Sequence, residues 1–368
     1  MYEAQLPSDW SYIANDSECS VLFCATQDIY DRTISEVIPQ TPSVKATVCL
    51  DAPLGEPHAF ATHMEDAAGA VDTDTTSSSI IKPSQDDLAN LIYTSGTTGK
   101  PKGVELIHSN TVSNVYGVRG MAENIHDFIR PDDVSLAFLP WAHSYGQTCE
   151  LWTGIAHGGS AGICRGVPFI LEDLQFVKPT VLFAVPTLHK KIYDGVHNLI
   201  ETASPFRKSL MQNALALGRK SVIERDGGES MGFLDRIKHK ALDKIVLSKI
   251  RDRFGGNLRH GFVAGAACPS EVINFLDDVG IPICEGYGLT ETSPIITINT
   301  PYERSPGSVG KPIPGVNVVI MGIDGAPVQP GQEGEICCYG PNVMRGYYKK
   351  PEATEEVISL APDGESRL

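Results

Sequence analysis

The residues Tyr93-Thr94-Ser95-Gly96-Thr97-Thr98-Gly99-Lys100-Pro101-Lys102-Gly103-Val104 concentrate the groups that hold a polyphosphate. Glycines let successive backbone N–H groups turn toward an anion, hydroxyls add donors, and the lysines supply positive charge. The apolar run Leu91-Ile92-Tyr93 reads as the strand that delivers this loop. It is not an ordinary P-loop. Two residues rather than four separate Gly96 from Gly99, and Pro101 stands where a magnesium-binding hydroxyl is needed. Seen alone, such a loop is as readily a surface turn.

Three other constellations carry chemistry. In Glu285-Gly286-Tyr287-Gly288-Leu289-Thr290-Glu291-Thr292, two glycines flank an aromatic ring on which a purine could lie. Thr290 adds a hydroxyl, and Glu291 adds the hard oxygen that Mg²⁺ takes alongside phosphate oxygens. By itself Glu291 is as well explained as a carboxylate at a helix start. Gly265-Ala266-Ala267-Cys268-Pro269 is a strand-to-helix turn small enough for close approach of an aromatic ring. In Leu139-Pro140-Trp141-Ala142-His143-Ser144-Tyr145-Gly146, a histidine between two aromatics follows a predicted strand end, where α/β sites open. A lone histidine is otherwise an ordinary structural residue. Gly158-Gly159-Ser160-Ala161-Gly162 satisfies G-x-S-x-G, yet Leu151 to His157 reads as helix and Ala161 to Cys164 as strand. That order inverts the strand–turn–helix context a nucleophilic serine requires.

These residues need a scaffold of alternating strands and helices. Val134-Ser135-Leu136-Ala137-Phe138-Leu139-Pro140 and Thr180-Val181-Leu182-Phe183-Ala184-Val185-Pro186 read as buried strands closed by proline. Trp10-Ser11-Tyr12-Ile13, Ser20-Val21-Leu22-Phe23 and Ala46-Thr47-Val48-Cys49-Leu50 read as strands or buried helix ends. Residues 61–85 read as an exposed polar loop, and Ser109 and Asn110 as N-caps of a following helix. Residues 190–254 are helical in pattern with a break near Asp226-Gly227-Gly228, and short β-rich runs follow Gly307. The 368 residues, 42% hydrophobic, suffice for two or three structural units of α/β class.

A net charge of −15 makes nucleic acid an unfavourable partner. Against that balance, Arg207 to Arg259 carries 13 Lys/Arg and six Asp/Glu. This stretch reads as solvated helical faces, or as a contact surface for anionic lipid or an anionic ligand. The nine cysteines include no C-x-x-C pair, which points to a reducing compartment rather than a zinc site or a disulfide framework.

Taken together, the motifs resemble those of the adenylate-forming (acyl-activating) enzymes, over essentially the whole chain and in the right order. Asp243 to Gly256, with the helical insert before it, and Gly340 to Tyr348 followed by Pro351-Glu352-Ala353-Thr354 are similar to the long-chain fatty acyl-CoA synthetase group. The resemblance implies the large N-terminal domain of that superfamily: stacked α/β subdomains with mainly parallel sheets over 1–306, and a partial small β subdomain over 307–368. It implies ATP, Mg²⁺ and CoA, with a fatty acid as the acyl donor. Thr94, Ser95, Gly96, Thr97, Thr98, Gly99 and Lys102 would hold phosphate. Gly265, Ala266, Ala267, Glu285, Gly286, Tyr287, Gly288 and Thr290 would bind the nucleotide, and Glu291 the metal. Trp141, His143, Tyr145 and Gly146 would line the acyl site. Lys102, His143, Thr290 and Glu291 are the catalytic candidates. The implied place is cytoplasmic, or peripheral on an intracellular membrane.

The chain departs from the family at both ends. It stops at Ser366-Arg367-Leu368, before the Thr-Gly-Asp segment that binds ribose and before the mobile C-terminal domain with its lysine. Met1 to Pro7 resembles an interior stretch. A fragment of a longer protein is therefore expected. The alternatives are an adenylate-forming ligase for another carboxylic acid or a carrier protein, and a truncated, catalytically silent nucleotide-binding protein.

Overall fold

The computed structural model describes residues 1–70, 82–94, 99–124, 128–360 and 366–368. They form two compact units, Met1–His108 with Arg345–Thr354, and Ser109–Met344 with Glu355–Leu368. In chain order the first unit begins with α1 (Pro7–Ser17), β1 (Val21–Cys24), α2 (Gln27–Arg32), β2 (Ala46–Cys49), α3 (Phe60–Ala70), β3 (Leu88–Thr94) and β4 (Lys102–Ile107). Helix α4 (His108–Asn124) leads into the second unit, through β5 (Val134–Ala137), a π-helical turn (Tyr145–Trp152), α5 (Thr153–His157), β6 (Ser160–Ile163) and α6 (Ile170–Val177). It continues through β7 (Val181–Ala184), α7 (Pro186–Glu201), α8 (Pro205–Arg225), α9 (Phe233–Leu242), α10 (Ser248–Arg251), β8 (His260–Val263), α11 (Ser270–Asp278), β9 (Ile283–Gly288) and β10 (Ile295–Ile298). The remaining elements are β11 (Lys311–Pro312), β12 (Asn317–Met321), β13 (Glu335–Tyr339), β14 (Gly346–Tyr347), α12 (Pro351–Glu355), β15 (Ser359–Leu360) and β16 (Ser366–Arg367).

The α/β class expected from the sequence is present. Strands β7, β8 and β9 run parallel, with Ala184 opposite Val263 and Val263 opposite Glu285. Each residue of β7 and β8 is buried, as a strand covered on both faces requires. Strands β10 and β11 extend this sheet antiparallel to five strands. Pairs β1–β2 and β5–β6 are parallel as well. Antiparallel pairing occurs in the three-stranded β14–β4–β3 sheet and in the four-stranded β12–β13–β16–β15 sheet, the short β-rich runs after Gly307. Helix α7 presents Leu188, Ile192, Val196 and Ile200 to the core at four-residue spacing. Proline opens both α7 and α8, where a missing N–H costs nothing.

Two sequence expectations are corrected. Residues 60–70 form helix α3 rather than loop, because Ala-Thr-His-Met-Glu-Asp-Ala-Ala is rich in good helix formers despite its polarity. Residues 71–81 lie outside the described residues. Ser109 and Asn110 are not caps, because α4 already begins at His108. Asn110 is instead buried, and its amide donates to the carbonyls of Pro341 and Val343 at 2.8 and 2.9 Å. Ser160 sits in β6 after helix α5, so the G-x-S-x-G string has the inverted context read from sequence. Among the described residues all nine cysteines are free thiols, and no helix is long and apolar enough to cross a membrane.

Candidate acyl and nucleotide site

In the first unit, β3 and β4 pair so that Tyr93 faces Gly103 and Thr94 faces Lys102 across the base of the glycine-rich loop. Ser95, Gly96, Thr97 and Thr98 lie outside the described residues. Both flanks of the loop are tied down. Burial, and then the bond its hydroxyl donates to Asp16 Oδ2 at 2.7 Å, raise the pKa of Tyr93, and the Tyr12 hydroxyl donates to the Pro101 carbonyl at 3.0 Å. Lys100 Nζ lies 5.1 Å from the centre of the Tyr12 ring, and Lys102 Nζ lies 4.7 Å from that of Tyr347. Gly103 lies close under the Tyr93 ring, and a Cβ there would stand 3.0 Å from it. Two cations thus rest on aromatic faces, an arrangement an anion can draw on because cation–π contacts at partly exposed sites are weak.

In the second unit, the carboxyl ends of β7, β8 and β9 open together. Chain leaving those ends borders a cavity of about 250 Å³, in the crevice where α/β sheets bind ligands. Its floor is apolar. Phe183 of β7 and Phe262 of β8 stack with centroids 4.9 Å apart, and Val118, Cys284 and Ile295 complete the surface. Its rim is polar: His143, Ser144, Thr290 and Glu291, with Gly265 and Gly286-Tyr287-Gly288 along one edge.

The turn at 139–146 is clamped onto the strand ends. The Tyr145 hydroxyl lies 3.3 Å from the Ala184 carbonyl and 3.2 Å from the Phe262 carbonyl, bridging β7 and β8. Burial pushes the pKa of this phenol up, so it remains a neutral donor. Gly146 works by close approach, because a Cβ would lie 2.7 Å from the Pro140 carbonyl oxygen. His143 Nδ1 accepts the Tyr145 N–H at 3.1 Å. Burial lowers the pKa of His143, so the ring is neutral near pH 7, and its proton then resides on Nε2 as a donor. The Ser144 and Thr290 hydroxyls meet at 3.3 Å, both buried.

The second edge is held just as tightly. A Cβ on Gly288 would lie 1.7 Å from the Pro294 carbonyl oxygen, so the backbones pack there without side chain between them. Leu289 N–H donates to that same carbonyl at 3.1 Å. Gly265 has φ of +85°, the left-handed region that favours glycine.

The cavity therefore brings together His143, Tyr145, Gly265, Gly286, Tyr287, Gly288, Thr290 and Glu291 from the residues singled out in the sequence. Others lie elsewhere. Trp141 borders a separate apolar pocket with Phe138, Cys164 and Val167, and its indole N–H reaches Glu150 Oε2 at 3.3 Å. Ala266 and Ala267 are exposed beyond the cavity lip. Glu285 is buried and accepts the Gly307 N–H at 2.8 Å, strapping β9 to the loop before β11. The floor residues Phe183, Phe262 and Val118 and the rim hydroxyl of Ser144 went unselected in the sequence. Ser144 lay inside a string already singled out, whereas the floor residues have no local signal.

Among the described residues no group of three or more His, Cys, Asp or Glu side chains forms a metal cluster. One carboxylate at Glu291 beside the Thr290 and Ser144 hydroxyls suits a hard divalent ion that arrives with phosphate oxygens of its own.

The profile of the family described as AMP-binding enzyme matches residues 1–348. The peroxisomal long chain acyl-CoA synthetase 7 of Arabidopsis thaliana is 34% identical over 284 residues, covering 75% of this chain and 38% of that protein. The peroxisomal long chain acyl-CoA synthetase 6 of the same plant is 30% identical over 371 residues, covering 97% of this chain and 50% of its own length. The chain thus spans half or less of the length of these relatives. The ATP-bound structure of MatB from Rhodopseudomonas palustris superposes with a TM-score of 0.66 at 25% identity, covering 99% of this chain and 59% of MatB. By the extent of the profile match and the fold, the chain belongs to the AMP-binding enzyme family.

Proposed function

We propose that this chain carries the nucleotide- and acyl-binding part of an ATP-dependent ligase that joins a long-chain fatty acid to CoA. The observation that supports this most directly is the cavity with an apolar floor of stacked phenylalanines and a rim of His143, Ser144, Thr290 and Glu291. An acyl chain fits the floor, and a carboxylate meeting a phosphate fits the rim. In the reaction, a carboxylate oxygen attacks the α-phosphorus of ATP and the bond to pyrophosphate breaks. The sulfur of the CoA thiolate then attacks the acyl carbon and AMP leaves. A fatty acid is ionised at neutral pH, so the first step needs no general base.

The residues act by position and charge. Neutral His143 donates from Nε2 to a carboxylate or phosphate oxygen while Nδ1 stays fixed by Tyr145. The Thr290 and Ser144 hydroxyls, already in contact, supply further donors at the developing charge. Tyr287 offers a ring against which adenine stacks. Thr94, Gly99 and Lys102, with Ser95, Gly96, Thr97 and Thr98, are assigned the pyrophosphate. Glu291 is the residue to hold Mg²⁺, which supplies charge neutralisation at the phosphates when bound.

The test is calorimetric binding of a non-hydrolysable palmitoyl-adenylate sulfamate, paired with ATP–pyrophosphate exchange in the presence of palmitate. Binding that weakens on Phe262→Ser and on Tyr287→Ala supports the assignment. Binding of a short-chain analogue with equal strength would remove the long-chain part, and no binding of either analogue would overturn the whole.

A further inference from the structure

Helix α9 turns its apolar side away from the protein. Phe233, Leu234 and Ile237 are 77%, 69% and 53% exposed. At about 100° per residue, these three and Ala241 fall within one arc of about 100°, with Lys240 at one margin and Lys238 at the other. The opposite side of the helix faces the body: Leu242 packs against the core, and Asp235 is bound by Lys220 of α8 at 2.6 Å. The exposed arc continues past the helix end with Lys244 and Ile245.

The charges around the arc are unbalanced. Three carboxylates of this region are engaged elsewhere, Glu224 with Arg236 and Ser230, Asp235 with Lys220, and Asp243 with Arg251 at 2.7 Å, while the exposed Glu229 lies in the turn before the helix. Among the described residues Lys238, Lys240 and Lys244 form no ion pair. A chain of net charge −15 thus presents a local cationic margin around exposed Phe, Leu and Ile.

We propose that α9 is an interfacial helix that docks the protein on an anionic lipid bilayer, with Phe233, Leu234 and Ile237 entering the headgroup–acyl boundary. That boundary accepts a convex apolar arc, while the lysine stems lie along it and their ammonium groups meet lipid phosphates. A second copy of the chain is a poorer occupant. Three large side chains on a ten-residue helix fall well short of the roughly 800 Å² per partner of a stable interface. An acidic peptide would satisfy the lysines but leave the apolar arc in water.

The experiment is co-sedimentation of the 368-residue chain with vesicles of phosphatidylcholine alone and of equal parts phosphatidylcholine and phosphatidylglycerol. Binding is expected to the anionic vesicles, to weaken with added salt, and to fall at least about tenfold in the Phe233→Ser, Ile237→Ser double variant. A Lys238→Glu, Lys240→Glu variant should lose the preference for anionic vesicles. Both variants change exposed positions, and an unaltered melting temperature confirms folding. Should either variant fail to fold, Phe233→Trp is read by fluorescence, and a blue shift on anionic vesicles alone is expected. Absence of wild-type binding, or equal binding by the double variant, would overturn the proposal. So would a concentration-dependent dimer in sedimentation velocity that disappears with Phe233→Ser, since the arc would then bind another copy.

Discussion

Glu150 offers a quantitative check on how the His143–Tyr145 turn is held. Its side chain is 3% exposed, Oε2 accepts the Trp141 indole N–H at 3.3 Å, and Oε1 has no hydrogen-bond partner. Burial pushes its carboxyl from an ordinary 4.5 up to about 8. Between those values the folded protein holds a proton that the unfolded chain has released. The stabilisation is therefore complete below the ordinary value and is lost as pH rises through about 8. With 1.36 kcal/mol per unit, the part lost between about pH 6 and about pH 9 is about 3 kcal/mol. Glu150→Gln keeps an acceptor for Trp141 and removes the titration. Urea unfolding followed by tryptophan fluorescence should show the two proteins closest at the acid end and the variant more stable by about 3 kcal/mol at the alkaline end. Because Glu150 lies in the helical turn that begins at Tyr145, the variant should also keep its exchange activity to higher pH. Parallel stability curves across this range would refute the reasoning, because they would mean Glu150 ionises without cost where it sits.

His189 is fully buried with neither ring nitrogen bonded, and burial lowers its pKa from 6.5 to about 4. The neutral ring's stabilisation is present above the ordinary value and lost as pH falls toward about 4. His189→Leu should thus be more stable than wild type by about 2 kcal/mol further at about pH 5 than at about pH 7.5, measured by urea denaturation. Gly288→Ala should lower stability by about 3 kcal/mol or more and abolish ligand binding, since its Cβ would meet the Pro294 carbonyl at 1.7 Å. Calorimetry of unfolding and of analogue binding would show it. Thr290→Val should reduce ATP–pyrophosphate exchange about 10²-fold with little change in melting temperature, by removing a rim donor already paired with Ser144.

Much of the fold was legible because its signals are local. The unbroken apolar run of β7, the mostly apolar run of β5, the proline after each strand end and the four-residue spacing along α7 depend only on neighbours in sequence. One expectation failed where a tertiary contact outweighs local preference, the other where local helix propensity outweighs polarity. Asn110 has cap chemistry, yet its amide is used on carbonyls more than 230 positions away. The polar stretch after Phe60 is helical because alanine, glutamate and methionine favour a helix whatever their solubility.

Residue type and spacing alone determined the chemistry on offer: a glycine- and hydroxyl-rich loop at Tyr93–Val104, an aromatic between glycines at 286–288, a histidine between aromatics at 141–145. Composition of that kind is readable because donors, rings and left-handed backbone each demand particular residues. Only the tertiary structure decided which of them share a cavity. His143 and Thr290 are 147 positions apart and meet its rim, while Trp141, two residues from His143, points into a different pocket. Parallel register does this sorting. It aligns the carboxyl ends of β7, β8 and β9, stacks Phe183 on Phe262 beneath them, and so makes an apolar floor from β7 and β8, two strands that carry no mark of a site in sequence.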